Sequence, residues 1–161
     1  MKRILLVCTG NICRSPMAAA IMSREFEKRA AMGYHVSSAG TGAWDGASAS
    51  EGAYLVGLEN ALDLSQHRAA LVTRELVEKV DLILTMARHH RTRVDDLGGE
   101  GKTFLLGEFA GRDGEDAEVS DPFGSSLEVY RTTYETLDRL GREAVDRILR
   151  EGGEGGESDQ R

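Results

Sequence analysis

The sequence predicts an α/β domain of three layers, with a four-stranded parallel sheet and helices on both of its faces. Two observations support this prediction: apolar, strand-like segments alternate with segments of helical spacing, and the first strand-like segment is apolar throughout. The chain of 161 residues is long enough to bury the core of one domain, and a hydrophobic content of 40% is sufficient. We therefore expect one domain over 1–150 and a separate tail over 151–161.

The elements can be placed in order along the chain. The run 3–7 (RILLV) is typical of a strand buried on both faces, and 17–32 is typical of a helix, since apolar residues recur there at helical spacing without internal Gly or Pro. Pro16 suits the first turn of that helix, where its missing N–H is not needed. Further elements are expected as strands over 34–39, 81–86 and 102–106, and as a short helix over 73–79.

The C-terminal part of the chain predicts one long helix and then a disordered tail. The helix should begin near Ser125 or Ser126, because an apolar stripe of roughly helical spacing follows. The stripe consists of Leu127, Tyr130, Tyr134, Leu137, Leu140, Val145 and Ile148. Residues 152–161 are rich in Gly and Glu and contain no hydrophobic residue, so they cannot offset the entropy cost of ordering.

The junction between the first strand and the first helix is the most informative part of the chain. A loop at such a junction can point several backbone N–H groups at one spot, and the following helix adds the positive end of its dipole. Arg14 can fork two hydrogen bonds onto a phosphate. The phosphate-binding residues are therefore expected in this loop, namely Thr9, Gly10, Asn11, Ile12, Cys13, Arg14 and Ser15.

Cys8, at the start of this loop, is the expected nucleophile. The thiolate is the reactive form of cysteine, and the loop amides, the helix dipole and Arg14 all favour it. Ser15 can donate a hydroxyl hydrogen bond to the sulfur. A free cysteine at a strand end is commonly a small buried hydrophobic residue, but the spacing Cys-x5-Arg-Ser between a strand and a helix favours catalysis.

The second cysteine, Cys13, has two open interpretations. It packs the base of the loop, or it is a resolving thiol that traps oxidised Cys8 as a reversible disulfide. Two cysteines five residues apart do not form a disulfide framework. The sequence favours the packing role.

The composition argues against several classes of function. A formal net charge of −7 and a pI near 5.1 argue against nonspecific binding to nucleic acid or to anionic membranes. No apolar run is long enough to span a membrane. The first strand follows the N-terminus without a signal-peptide pattern, so a cytoplasmic location is expected. No His/Cys cluster has zinc spacing, so we expect neither a metal nor a cofactor.

From Cys8 to Pro16, the sequence resembles the signature loop of the low-molecular-weight protein tyrosine phosphatase family. The resemblance extends to about Leu149 through Ser37-Ser38-Ala39-Gly40, the segment around His67, and Ser120-Asp121-Pro122. It implies a small doubly wound fold, no metal, and hydrolysis of a phosphorylated protein substrate in two steps through a phosphocysteine. It also supports a protective role for a second cysteine in the loop.

Asp121 is the best candidate for general acid and base. The leaving oxygen needs a proton and the attacking water must later lose one, and a single carboxyl can do both. Pro122 restricts the Asp121 backbone to extended forms. An ordinary Asp-Pro turn is the alternative, and the choice of Asp121 among 27 acidic residues rests on the resemblance. The resemblance also implies supporting roles for Ser38, paired with Asn11, and for His67 behind the loop.

The residues around the expected pocket give conflicting indications of the substrate. Thr9, Ala87 and Phe123-Gly124 resemble the protein arginine phosphatase branch of the family. Ile12 stands where that branch has threonine; it offers no hydrogen bond and makes a dry wall for an aromatic ring. We therefore expect phosphotyrosine as the substrate, with Ile12 and Phe123 as pocket walls. Trp44 either flanks the mouth or covers the edge of the core.

Three other functions fit parts of the pattern: a protein arginine phosphatase on the same scaffold, an arsenate reductase, and a noncatalytic phosphate-binding module. A reductase needs a further redox cysteine, but the chain contains only Cys8 and Cys13. A noncatalytic module would be expected to lack Cys8, Arg14 or Asp121. We also expect phosphate or vanadate to bind as inhibitory anions, and the chain to be a monomer or a weak dimer.

Overall fold

The structure is a computed structural model that describes residues 1–159. Its strands are β1 (Lys2–Cys8), β2 (Tyr34–Gly40), β3 (Leu82–Thr85) and β4 (Thr103–Leu105). Its helices are α1 (Arg14–Lys28), α2 (Glu51–Glu59), α3 (Arg74–Lys79), α4 (Arg88–Val94), α5 (Leu106–Phe109) and α6 (Leu127–Asp159). The strands are all parallel and form one sheet in the order β2-β1-β3-β4.

Helices cover both faces of this sheet. Along β1, Ile4 and Leu6 belong to the same core as apolar residues of α1 and α6. The alternate residues Leu5 and Val7 belong to a second core, with apolar residues of α3 and α4. A strand that is buried on both faces must be apolar at every position, which explains the continuous run seen in the sequence. The predicted three-layer α/β fold is confirmed.

The order of the strands places a crevice at the end of β1. The chain passes from β1 to β2 on one side and later to β3 on the other, and ligands bind at such switch points, outside the carboxyl ends of the strands. Cys8 is the last residue of β1 and pairs with Gly40, the last residue of β2. The expected nucleophile therefore lies at the switch point.

The boundaries of α1 differ from the predicted range of 17–32. The helix starts at Arg14, so Pro16 lies in its first turn as predicted, and it ends at Lys28. The early end has a backbone cause: Ala30 has a left-handed φ of 52°, and the N–H of Ala31 turns back to the carbonyl of Phe26. Such a reversal usually occurs at glycine, so an alanine at this position gave no signal in the sequence.

Apart from the four-residue α5, two helices, α2 and α4, are missing from the sequence prediction. α2 contains two glycines, which are poor helix formers, and its start is marked by Ser50, whose Oγ accepts the Ala53 N–H. α4 (RHHRTRV) is almost entirely polar, yet His90 and Val94 are buried. Both helices owe their stability to packing against the rest of the domain and not to a strong local pattern.

The long helix α6 begins at Leu127, next to the predicted start, and its apolar stripe packs on α1. Residues 151–159, which the sequence assigns to a disordered tail, continue α6 as helix, since a helix once formed adds a hydrogen bond with each residue. Residues 160–161 lie outside the described residues. The division into a domain and a separate tail stays a prediction. None of the helices in residues 1–159 combines the length and the apolar character that a membrane span requires.

Gly40 lets the end of β2 approach the loop after β1. An added Cβ at Gly40 would lie 2.3 Å from the Thr9 carbonyl oxygen and 3.0 Å from the Asn11 nitrogen, so it would push on backbone that cannot move freely. At Gly42, in contrast, the nearest atom to an added Cβ is a Thr9 methyl carbon at 3.8 Å. The absence of a side chain matters at the first glycine and not at the second.

We predict that Gly40→Ala lowers the free energy of unfolding by about 1–3 kcal/mol, because overpacking against backbone must shift the loop. Gly42→Ala, the matched control, should change it by about 0.5 kcal/mol or less. Urea unfolding of the two variants measures both values. Equal stability of the two variants would contradict the close-packed contact at Gly40.

Candidate active site

The loop between β1 and α1 curls around the sulfur of Cys8. Cys8 is buried, with 2% of its surface exposed, and its Sγ accepts the backbone N–H of Asn11 at 3.3 Å. Ser15, in the first turn of α1, brings its Oγ to 3.0 Å from the same sulfur. The Ser15 oxygen accepts Asn11 Nδ2–H at 2.8 Å, and its own hydrogen can be donated to the sulfur at 3.0 Å or to the more distant Ala39 carbonyl oxygen at 3.4 Å. The Asn11 N–H and the Ser15 hydroxyl therefore both lie within hydrogen-bonding distance of the sulfur.

Asn11 holds the loop in this conformation. It has a left-handed φ of 56°, which is unusual for a residue with a side chain. Its buried amide also donates to Ser38 Oγ at 2.9 Å and accepts the Ala70 N–H at 2.9 Å. His67 Nε2 donates to the Asn11 carbonyl oxygen at 2.6 Å. The structure thus brings Ser38 and His67 to the loop, where the resemblance had placed them.

Arg14 is oriented with one edge free. Its side chain is 5% exposed, and one terminal nitrogen, Nη1, donates to the Val119 carbonyl at 2.8 Å. Nε is buried and has no hydrogen-bond partner among the described residues. Because a buried donor without a partner is costly, the edge formed by Nε and Nη2 is suited to a bound anion, which it can grip with two parallel hydrogen bonds.

Asp121 lies at the rim of a cavity that Cys8 and Arg14 also line. Its side chain is 52% exposed, and Oδ2 lies 3.7 Å from Arg14 Nη2. The other carboxylate oxygen accepts the Phe123 N–H at 3.1 Å, across Pro122, and so fixes the direction of the carboxyl. The 3.7 Å separation exceeds hydrogen-bond distance and the Asp121 side chain is half-exposed, so Asp121 can exchange its contact with Arg14 for a substrate.

The cavity has a volume of about 190 Å³, enough for a phosphate and part of a ring. It is lined by Cys8, Thr9, Gly10, Ile12, Cys13, Arg14, Asp121 and Phe123. Trp44, for which the sequence leaves open a place at the mouth or at the edge of the core, is not among the lining residues and is 84% exposed. After Gly42 the chain leaves the loop, and the N–H of Gly46 donates to the carbonyl oxygen of Ala69. The turn between these two glycines carries Trp44 into solvent. A role for Trp44 in substrate binding stays a prediction.

Cys13 faces the base of the loop. Its Sγ lies 3.1 Å from Ser50 Oγ and 3.3 Å from the Tyr130 hydroxyl, and Tyr130 also donates to Ser50. Burial raises the pKa of the Cys13 thiol, so the neutral thiol is favoured. Burial likewise raises the pKa of Tyr130 to about 12. These contacts tie the loop to α2 and α6 and fit the packing interpretation of Cys13.

One polar residue at the site carries no role in the sequence analysis. His90 of α4 is fully buried, and its Nε2 lies 2.8 Å from Thr9 Oγ1. Its Nδ1 accepts the Ala87 N–H at 3.0 Å. Burial, aided by the neighbouring His89 and Arg14, lowers the pKa of His90 to about 3, so the ring is neutral at physiological pH. No local pattern marks His90, because its partner lies 81 residues away.

Among the side chains described, those of residues 1–153, no group of three or more His, Cys, Asp or Glu is arranged to hold a metal ion.

Comparison with known proteins agrees with this geometry. Residues 3–153 match the sequence model of the family described as low molecular weight phosphotyrosine protein phosphatase. A protein-arginine-phosphatase of Geobacillus stearothermophilus is 37% identical over 148 residues, which cover 91% of this chain and 93% of the relative. The low molecular weight protein-tyrosine-phosphatase Wzb of Escherichia coli K12 is also 37% identical, over 87% of this chain and 90% of the relative.

Among solved structures, the YwlE arginine phosphatase from Geobacillus stearothermophilus superposes with a TM-score of 0.85 at 35% identity, over 96% of this chain and 97% of that chain. Both the sequence and the fold are therefore shared over nearly the whole length. The chain belongs to the low molecular weight phosphotyrosine protein phosphatase family.

Proposed function

We propose that the protein hydrolyses phosphotyrosine in phosphorylated proteins through a covalent phosphocysteine at Cys8. One observation carries the proposal: a sulfur with two hydrogen-bond donors nearby, a buried arginine Nε without a hydrogen-bond partner and a directed carboxyl meet in one small cavity. Nucleophile, charge clamp and proton donor are the three parts that this chemistry requires. A noncatalytic module would not need Asp121 or the polarised sulfur.

The first step transfers the phosphoryl group to sulfur. The phosphate settles on the loop amides and on the free edge of Arg14, which neutralise its charge and align the phosphorus with Cys8 Sγ. The thiolate attacks phosphorus and forms the S–P bond while the bond to the tyrosine oxygen breaks. Asp121, protonated at this stage, gives its proton to that oxygen, and the dephosphorylated protein leaves.

The second step releases phosphate. The Asp121 carboxylate takes a proton from a water molecule, whose oxygen attacks the phosphorus of the phosphocysteine. The S–P bond breaks and its electron pair returns to sulfur, where the hydrogen of Ser15 stabilises the thiolate. Inorganic phosphate is the product, so phosphate and vanadate are expected to inhibit by occupying the same loop.

The preference for phosphotyrosine rests on the cavity walls. Ile12 and Phe123 line the cavity, and neither side chain can hydrogen-bond to a substrate. An aryl ring gains from contact with such walls, whereas a polar guanidinium would lose hydration there. These two side chains support phosphotyrosine against the more polar phosphoarginine.

A protein arginine phosphatase is the second candidate. Relatives with that name are as similar in sequence as the tyrosine phosphatases, at 37% identity each. Thr9, Ala87 and Phe123 also support it. An arsenate reductase is disfavoured because Cys8 and Cys13 are the only cysteines of the chain. A cytoplasmic location and a monomeric or weakly dimeric state remain predictions.

We predict that Cys8→Ser abolishes turnover of p-nitrophenyl phosphate by about 1,000-fold or more, because serine is not ionised in this loop. The variant should still bind inorganic phosphate, since the loop amides and Arg14 are unchanged. Steady-state kinetics and calorimetric titration with phosphate measure the two effects. Near-normal turnover in this variant would remove Cys8 as the nucleophile.

We predict that Asp121→Asn slows the hydrolysis of phenyl phosphate by about 100-fold or more, because a poor leaving group needs the proton that Asp121 supplies. With p-nitrophenyl phosphate, whose leaving group is stable as an anion, the loss in the first step should be much smaller. Asp113→Asn, an exposed change outside the cavity, is the matched control. Equal losses on both substrates in burst-phase kinetics would exclude the general-acid role.

We predict a higher kcat/KM for phosphotyrosine peptides than for phosphoarginine peptides of the same sequence. Ile12→Thr should reduce or reverse this preference, because its hydroxyl adds a hydrogen-bonding group to the wall. Phosphate release from paired peptides measures both ratios. A strong preference of the unmutated protein for phosphoarginine would overturn the substrate assignment and leave the two-step chemistry intact.

A further inference from the structure

His90 is a fully buried polar residue that the proposed two-step chemistry does not use. Its ring makes two hydrogen bonds, one to the Ala87 backbone and one to the Thr9 side chain. The first bond gives the Ala87 backbone N–H, at the start of α4, its hydrogen-bond acceptor. The second is not needed for that purpose, because a shorter side chain that accepts the Ala87 N–H would serve the helix equally well. The bond to Thr9 therefore requires its own explanation.

The direction of the two bonds follows from the ring chemistry. The Ala87 N–H donates to Nδ1, so Nδ1 carries no proton. A neutral imidazole then carries its proton on Nε2. Nε2–H must donate to Thr9 Oγ1, 2.8 Å away, and the hydroxyl hydrogen of Thr9 is directed away from His90. The ring thus makes Thr9 a hydrogen-bond donor toward its remaining surroundings.

Thr9 is exposed, and its remaining surroundings include the catalytic cavity. Thr9 directly follows Cys8 and lines the cavity together with Arg14 and Asp121. The Thr9 carbonyl oxygen accepts the Gly42 N–H at 2.9 Å, which fixes the backbone that carries this side chain.

We propose that His90 is a positioning residue for phosphoryl transfer: its Nε2–H holds the Thr9 hydroxyl oxygen, so that the Thr9 hydroxyl hydrogen is donated to an oxygen of the phosphoryl group in the cavity. This inference rests on the proposed function of the Cys8 loop. It adds a side-chain donor to the backbone amides and Arg14. It also explains why the buried residue is histidine, since only a ring with an acceptor and a donor on opposite sides joins Ala87 to Thr9.

Two substitutions separate the two bonds of the ring. His90→Asn keeps an acceptor near the position of Nδ1 for the Ala87 N–H, but it is too short to reach Thr9. His90→Gln places an amide donor near the position of Nε2 and keeps the bond to Thr9. His35→Asn, an exposed change on β2, is the matched control for the same replacement.

Calorimetric titration with inorganic phosphate tests the inference without turnover. His90→Asn and Thr9→Val should each weaken phosphate binding by about tenfold, the effect of one hydrogen bond to a charged group. His90→Gln, Thr9→Ser and His35→Asn should stay within about twofold of the unmutated protein. The double variant Thr9→Val/His90→Asn should bind no more weakly than Thr9→Val alone, because both changes remove the same bond.

Several results would overturn the inference. These are unchanged phosphate affinity in His90→Asn, equal losses in His90→Asn and His90→Gln, and losses that multiply in the double variant. If His90→Asn does not fold, equal affinities of Thr9→Val and Thr9→Ser overturn it without that variant. An unmutated protein that neither binds phosphate nor hydrolyses p-nitrophenyl phosphate would overturn the proposed function as well, whereas normal turnover with an unaffected His90→Asn overturns only the role of His90.

Discussion

The left-handed backbone of Asn11 is the constraint on which the rest of the site depends. This conformation costs a residue with a side chain about 1 kcal/mol or more, and here four hydrogen bonds offset that cost. The side-chain amide of Asn11 donates to Ser15 and Ser38 and accepts from the Ala70 N–H, and its backbone carbonyl accepts from His67. With Asn11 in place, its own N–H points at the Cys8 sulfur. Without it, the loop would lose its inward curl and the sulfur one of its two donors.

The site is positive in a protein that is negative as a whole. The net charge of −7 gives no long-range attraction for a phosphate, so binding must come from short-range groups. Arg14 supplies the full charge from a buried position, where screening by water is small. The neighbouring imidazole of His90 stays uncharged, because burial and the nearby guanidinium disfavour its protonation. Arg14 therefore faces neutral polar groups as well as the Asp121 carboxylate, and the anion is held by the geometry of its contacts as much as by charge.

The sheet supplies the rigid base for this arrangement. β1 is buried on both faces and paired on both edges, so the end that carries Cys8 has little freedom. Ser38 and Gly40 of β2 support the loop from one side, and the segment after β3 supports it from the other through Ala87 and His90. Asp121, the proposed acid, sits in contrast on an exposed segment before α6. A buried sulfur facing a solvent-exposed carboxyl suits the proposed reaction, in which the substrate must enter between them.

The sequence by itself determined the strands, the long α6 helix and the Cys8 loop, because each depends on local spacing: an apolar run, a helical stripe, or a cysteine and an arginine six residues apart. Asp121, Ser38 and His67 came only from the family resemblance. The tertiary structure alone decided that the Val119 carbonyl orients Arg14 and that His90 contacts Thr9. It also decided that α1 ends just before the left-handed Ala30 and that Trp44 faces solvent. The physical reason is common to these cases: each depends on groups brought together by folding or on a backbone turn stabilised by packing, and neither leaves a periodic trace in the chain.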